Sequence, residues 1–286
     1  MLYYILRSLV RISLHFYCKR IGWEGAGNIP KNKPVLFAVT HSNSFLDALF
    51  LAASLKQSVY CLARGDAFRK PIANRILRHF CVLPIFRQSD KEQNAVVKNE
   101  KTFAECQQLF LQNQWVLIFP EGNSVHQTTV SPLKKGVSVM AQRAWAAGID
   151  VQVIPVSITY DSFMRWGEKC DVIFQKPIQN IDIHQDMIEN QTIQLNKKLH
   201  STLSANFPSP FQFQGKTTLW GRFGQLLYYL GWVIHFPLYF LCQYLGKCLA
   251  KKTVFYDSII VGLLSVLLPF YYLIVSLMFY FISMKF

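Results

Sequence analysis

Charge is scarce in this chain, and acid above all: 16 Asp and Glu stand against 30 Lys and Arg, and charged residues make up only 16% of 286 positions. An ordinary soluble domain carries about 25%. With 51% hydrophobic residues there is ample surface to bury, which excludes a disordered chain. Cysteine pairing is also lacking: the seven cysteines are an odd number and none stands in a C-x-x-C pair, so a disulfide scaffold is excluded and reduced thiols in a cytosol-facing protein are expected. The phosphate-cradling G-x-x-x-x-G-K-[ST] and G-x-G-x-x-G loops are missing, and so is the G-x-S-x-G elbow of serine hydrolases. His15, His79, His126, His184 and His200 show no zinc-ligand spacing with cysteine or with one another, so no metal is expected.

The net charge of +14 is uneven. Residues 1–34 carry six Lys and Arg against Glu24, and residues 211–286 carry six against Asp257. The 176 residues between them hold eighteen against fourteen, a near balance. A nucleic-acid binder needs its basic groove on the folded domain. Basic flanks beside apolar segments point instead to anionic lipid headgroups.

Three regions follow. Residues 1–34 open with an apolar stretch interrupted by Arg7, Arg11, Lys19 and Arg20. On a helical wheel Arg7, Arg11 and Cys18 fall within about 40° of one another, so an in-plane interfacial helix is expected, with Leu2, Leu6, Leu9 and Phe16 meeting lipid. A helix that caps the domain is the alternative. Residues 35–210 alternate β-rich runs with helical stretches. Strands are expected over 35–40, 59–64, 82–87, 115–119, 151–159 and 171–174, and helices over 44–55, 70–80, 90–113, 135–147 and 184–206. That alternation predicts an α/β domain with a mixed or mostly parallel central sheet flanked by helices. Residues 207–215 read as a linker. Residues 211–286 hold two stretches free of Asp, Glu, Lys and Arg, 223–246 and 258–283. Each is long enough for about 30 Å of hydrocarbon. Lys247, Lys251 and Lys252 lie between them. Together with Gly231, His235 and Pro237 they predict a re-entrant or interfacial first segment. The second is expected to span or to bend at Pro269.

Three motifs carry chemistry. His41-Ser-Asn-Ser-Phe-Leu-Asp47 leaves a strand. An imidazole accepts a proton near pH 7 and works best with a carboxylate fixing its tautomer. Six residues apart, the two could not face each other on one continuous helix. They meet if His41 sits on the strand-to-helix turn and Asp47 in the first helical turn. Ser44 and Asp47 also fit a plain capping box. Leu83-Pro-Ile-Phe-Arg87 ends an apolar strand on a guanidinium that suits a phosphate monoester or, equally, solvent. Phe119-Pro-Glu-Gly122 is a strand running into a tight turn, expected to expose the Glu121 carboxylate beside Gly122. Pro132-Leu-Lys-Lys-Gly136 follows, opening the next helix.

In order and spacing these motifs resemble the glycerolipid acyltransferases of the lysophosphatidic acid acyltransferase (PlsC-like) superfamily, across residues 22–200. Val153-Ile-Pro-Val156 resembles a fourth family motif. Thr40 stands where Asn is common, the His–Asp gap has five residues instead of four, and Glu121-Gly-Asn-Ser124 lacks the arginine of the frequent E-G-T-R. The resemblance implies a membrane-bound enzyme that moves an acyl group from acyl-CoA or acyl-carrier protein to the hydroxyl of 1-acylglycerol 3-phosphate, giving phosphatidic acid. It assigns His41 as general base, Asp47 as its orienter and Arg87 as the phosphate ligand. Glu121 and Gly122 would shape the acceptor site, and Lys134 would assist with phosphate or an acidic donor. No metal or resident cofactor is implied. With the tail, it implies a bacterial inner membrane and a catalytic domain on the cytoplasmic side. Glycerol 3-phosphate or a lyso-aminolipid is the other acceptor, and a membrane-binding scaffold the non-enzymatic alternative.

Overall fold

A computed structural model describes residues 2–87, 94–127, 129–183, 188–205, 219–250 and 253–284. The expected linker at 207–215 and the start of the helix expected at 184 lie outside the described residues. The chain begins with α1 (Leu2–Tyr17) and β1 (Arg20–Glu24). It then alternates: β2 (Val35–Val39), α2 (Phe45–Ser54), β3 (Val59–Arg64), α3 (Pro71–His79), β4 (Val82–Ile85), α4 (Ala95–Leu111), β5 (Trp115–Ile118), α5 (Gly136–Ala146) and β6 (Gln152–Tyr160). β7 (Lys169–Phe174), α6 (Ile188–Ala205), α7 (Leu219–Ala250) and α8 (Tyr256–Ser283) complete it.

The strands form one seven-stranded sheet in the order β1-β7-β6-β2-β5-β3-β4. Every pairing is parallel except β6 with β7. Both faces are covered, as parallel strands require. Val35, Phe37 and Val39 point into one core with α1, α2 and α8, while Leu36 and Ala38 point into a second with α4, α5 and α6. Pro84 is tolerated because β4 is an edge strand. The other edge, β1, was not expected: Arg20-Ile-Gly-Trp-Glu24 is short and half-exposed, and has charges at its ends and a glycine at its centre.

α1 is docked on the domain, so the side chains expected to meet lipid are divided between the core and the outward face. Arg7 turns inward, donating to the carbonyls of Ala53 (3.4 Å) and Lys56 (3.3 Å) at the end of α2, where the helix dipole favours a cation. Leu14 and Tyr17 are buried, Leu6 and Leu9 half-buried, and Phe16 lies against the His235 ring at 4.5 Å. Leu2, Tyr4, Ile5 and Ile12 are the apolar side chains left outward.

α7 and α8 form an antiparallel hairpin, since Gly246 meets Ile260 and His235 meets Tyr272. α7 continues through Gly231 and Pro237, and α8 continues as a helix past Pro269. His235 spends its ring on helix contacts, with Nδ1 at the Gly231 carbonyl and Nε2 at the Tyr272 hydroxyl. Among the described residues α8 alone is long and apolar enough to cross a membrane. Its first half, through Leu268, is packed into the domain, and its second half is exposed.

Candidate active site

The site lies beyond the carboxyl ends of β2, β5 and β4, the usual place for ligands in an open parallel sheet. β2 leads into His41, β5 into Phe119-Pro-Glu-Gly122, and β4 into Arg87. β2 and β5 pair directly, so the first two motifs meet side by side.

His41 sits on the strand-to-helix turn and Asp47 in the first turn of α2. Its Nδ1 lies 3.0 Å from Asp47 Oδ2. An ionised carboxylate only accepts, so the neutral ring carries its proton on Nδ1 and its lone pair on Nε2. Phe119 stacks on the imidazole at 3.7 Å and 13°, fixing the plane of the ring. Asp47 is fully buried, yet its other partners are all donors: the Asn43 N–H at 2.9 Å on Oδ2 and the Tyr160 hydroxyl at 2.6 Å on Oδ1. Burial first, and the Asp47 charge next, push the Tyr160 phenol well above its ordinary range, so it remains a donor. Asn43 and Phe119 lie in the quoted motifs without a role assigned to them, and Tyr160 escaped the sequence reading. Tyr160, at the end of β6, stands 113 residues from its partner, and no local pattern marks it.

The simple capping box is corrected as well. Ser44 is the N-cap, but at φ 51° and ψ −133° it makes no side-chain capping bond, and Asp47 takes the N–H of Asn43 instead. The Ser44 N–H donates to the Ser124 hydroxyl at 2.7 Å, so the two motif turns are bonded to each other.

Glu121 departs furthest from the exposed carboxylate expected of it, being only 3% accessible. Oε1 accepts the His41 N–H at 2.8 Å, and Oε2 accepts the Ser131 N–H at 2.9 Å and the Gln127 amide. Three N–H donors close around it because an ionised carboxylate buried without them would be costly. It is a brace between the His41 turn and the Gln127 and Ser131 positions.

Arg87 reaches the same turn, its Nη1 donating to the Gly122 carbonyl at 2.7 Å and to the Asn123 side chain. Gly122, at φ 74°, holds a left-handed conformation that L side chains resist. A Cβ there would lie 3.4 Å from Lys134 Cγ, so the Lys134 stem runs along the turn. The Lys134 N–H donates to the Pro120 carbonyl at 2.7 Å. All six residues picked out in the sequence thus belong to one connected region. Among the described residues no group of three His, Cys, Asp or Glu side chains is placed to hold a metal ion.

A family model described as Acyltransferase matches residues 20–159, which contain the His41, Arg87 and Glu121 motifs. The stretch that holds all three motifs is thus similar to an acyltransferase domain. Over 157 residues it is 26% identical to the chloroplastic 1-acyl-sn-glycerol-3-phosphate acyltransferase BAT2 of Brassica napus. That match covers 54% of this chain and 42% of the relative, so the chain matches less than half of the relative's length. The crystal structure of the 1-acyl-sn-glycerophosphate (LPA) acyltransferase PlsC from Thermotoga maritima superposes with a TM-score of 0.51 at 18% identity, covering 70% of this chain and 76% of that one. At that identity the likeness concerns the fold. The family match supports an acyltransferase.

Proposed function

We propose that this chain is a membrane-associated acyltransferase that carries an acyl group from the thioester of CoA or acyl-carrier protein to the free hydroxyl of 1-acylglycerol 3-phosphate, forming phosphatidic acid. The observation that carries this reading is the buried Asp47 carboxylate on His41 Nδ1, which leaves Nε2 to act as base, in a turn bonded to the Glu121-Gly122 turn that Arg87 also reaches. Nε2 takes the proton of the acceptor hydroxyl as its oxygen attacks the thioester carbonyl carbon. The C–S bond breaks, the departing thiolate recovers that proton from the imidazolium, and the products are ester and thiol. Asp47 stabilises the imidazolium in between. No acyl-enzyme, metal or cofactor enters the scheme, because the thioester is already activated. Arg87, with Lys134 nearby, receives the acceptor phosphate, and Glu121 and Gly122 hold the turn that presents them.

Because Arg87 Nη1 also serves Gly122 and Asn123, a lyso-aminolipid lacking the phosphate monoester is the second acceptor to test. Membranes containing the chain would be given labelled acyl-CoA or acyl-carrier protein. Glycerol 3-phosphate, 1-acylglycerol 3-phosphate and lyso-ornithine lipid would be supplied separately. Phosphatidic acid from the monoacyl phosphate alone is expected. His41→Ala should lower the rate at least about 100-fold, in line with general-base contributions. Full activity of that variant would remove His41 from the mechanism, and transfer only to an amino-headgroup acceptor would replace the substrate.

A further inference from the structure

A carboxylate at the head of the most apolar helix in the chain calls for a reason. Asp257 is fully buried, and its oxygens take three hydrogen bonds from three distant parts of the molecule. The Tyr17 hydroxyl comes from α1, the Met164 N–H (3.0 Å) from the β6–β7 connection, and Asn43 Nδ2 (2.8 Å) from the His41 turn. The next residue, Ser258, accepts the Leu46 N–H at 2.9 Å. Asn43 and Leu46 both lie between His41 and Asp47. The backbone N–H of Asn43 donates to Asp47 Oδ2, the same oxygen that faces His41 Nδ1. One chain of contacts therefore runs from Asp257 through Asn43 and Asp47 to His41. The turn it supports passes through Ser44 at φ 51° without a side-chain cap of its own. A backbone in that region persists only when its surroundings hold it.

We propose that Asp257, with Ser258, is a positioning residue for acyl transfer: the head of the C-terminal apolar hairpin sets the geometry of the His41–Asp47 pair. The hairpin is then part of the active site's support as well as a hydrophobic appendage. This rests on His41 and Asp47 being the reacting pair. If the contact merely docks the hairpin, losing it lowers stability and leaves turnover per folded molecule unchanged. If it positions the pair, losing it lowers kcat while substrate affinity stays, because groups misplaced by a fraction of an ångström lose rate before they lose binding.

The test uses the full chain in lipid nanodiscs, with labelled acyl-CoA and whichever acceptor the unaltered protein uses. The folded fraction is measured by size exclusion and thermal unfolding. Asp257→Leu and Asn43→Ala are each expected to lower kcat per folded molecule about 10–100-fold, with both KM values within about twofold. The double variant should lose no more than the worse single one, since both break the same chain of contacts. Asp257→Asn should recover most of kcat. Its oxygen can accept from Asn43 and Met164, and its NH2 can donate to the Tyr17 hydroxyl. Should Asp257→Leu not fold, Asn43→Ala and Asp257→Asn decide alone. Wild-type kcat in Asn43→Ala while His41→Ala is inactive overturns the proposal, as do single losses that multiply in the double variant. An active His41→Ala variant overturns instead the catalytic pair on which it stands.

Discussion

His41 depends on contacts that arrive from every side: Asp47 at Nδ1, Phe119 on its ring face and Glu121 at its backbone N–H. Each is held in turn, and Tyr160 is the most telling, because its hydroxyl touches Asp47 and not the histidine. A hydrogen bond to a charged group contributes about 1.5–3 kcal/mol. Tyr160→Phe should therefore lower kcat about tenfold or more without unfolding the domain, a step of about 1.4 kcal/mol in the barrier. Steady-state kinetics at saturating acceptor would show it, and unchanged kcat would mean that Asn43 and the turn suffice to hold Asp47. Glu121→Gln tests a different role. With one accepting oxygen in place of two, it leaves the N–H of His41 or Ser131 buried and unpaired, which should cost about 1–3 kcal/mol of stability. A normal unfolding midpoint combined with a raised acceptor KM would make Glu121 a substrate ligand after all. The candidate residues His41, Asp47, Arg87 and Glu121 were legible in the sequence, since they fall in motifs of fixed spacing that the fold brings together. The residues that hold them were not. Tyr160 and Asp257 are tied to those motifs through tertiary contacts, as is the Asn43 side chain within its motif, and no local period encodes such contacts.

At the scale of elements, the alternation of apolar strands and amphipathic helices was sufficient for six of the seven strands, because strands buried on both faces read as continuous apolar runs. β1 lacked that signature because it forms a half-exposed edge. The connection from β6 to β7 brings in another feature that no pattern announced: Glu168 is fully buried, and neither carboxylate oxygen has a hydrogen-bond partner. Burial first, then the negative charges of Asp257, Asp161 and Asp47, push its carboxyl well above the ordinary glutamate range, with Arg165 opposing. The sign of its effect on stability follows. Above the ordinary range the unfolded chain has released this proton and the folded chain still holds it, so stability falls as pH rises from there through the raised value. Glu168→Gln keeps the shape and removes the titration. Its unfolding midpoint relative to the parent should rise more at pH 8 than at pH 5. An equal shift at both values would show that Glu168 is ionised in the folded protein.

At the scale of the whole molecule, the division of α8 decides how the protein meets a bilayer. Its first half is domain interior, ending near Leu268. The exposed apolar part, from Phe270 to Met284, is about 22 Å long at 1.5 Å per residue. A typical hydrocarbon core is about 30 Å thick. α7 runs alongside and exposes Val233, Phe236 and Phe240 to the same surroundings, while the Cys248 end of α7 returns to the domain. Among the described residues the exposed apolar part of α8 is thus shorter than that core, a length that a hairpin inserted part-way would match. Such an anchor would keep the Asp257 end, and with it His41, near the lipid surface, where the proposed lysophospholipid acceptor would be met. In sealed vesicles with the catalytic domain outward, a membrane-impermeant maleimide should react with Cys248. A Ser283→Cys variant should stay unlabelled by reagent trapped inside. Labelling of residue 283 from the lumen would establish a crossing helix, with the bilayer thinned or the helix drawn further out of the domain to reach. Drawing α8 outward would pull Asp257 from Asn43, so a crossing reached in that way should also lower kcat.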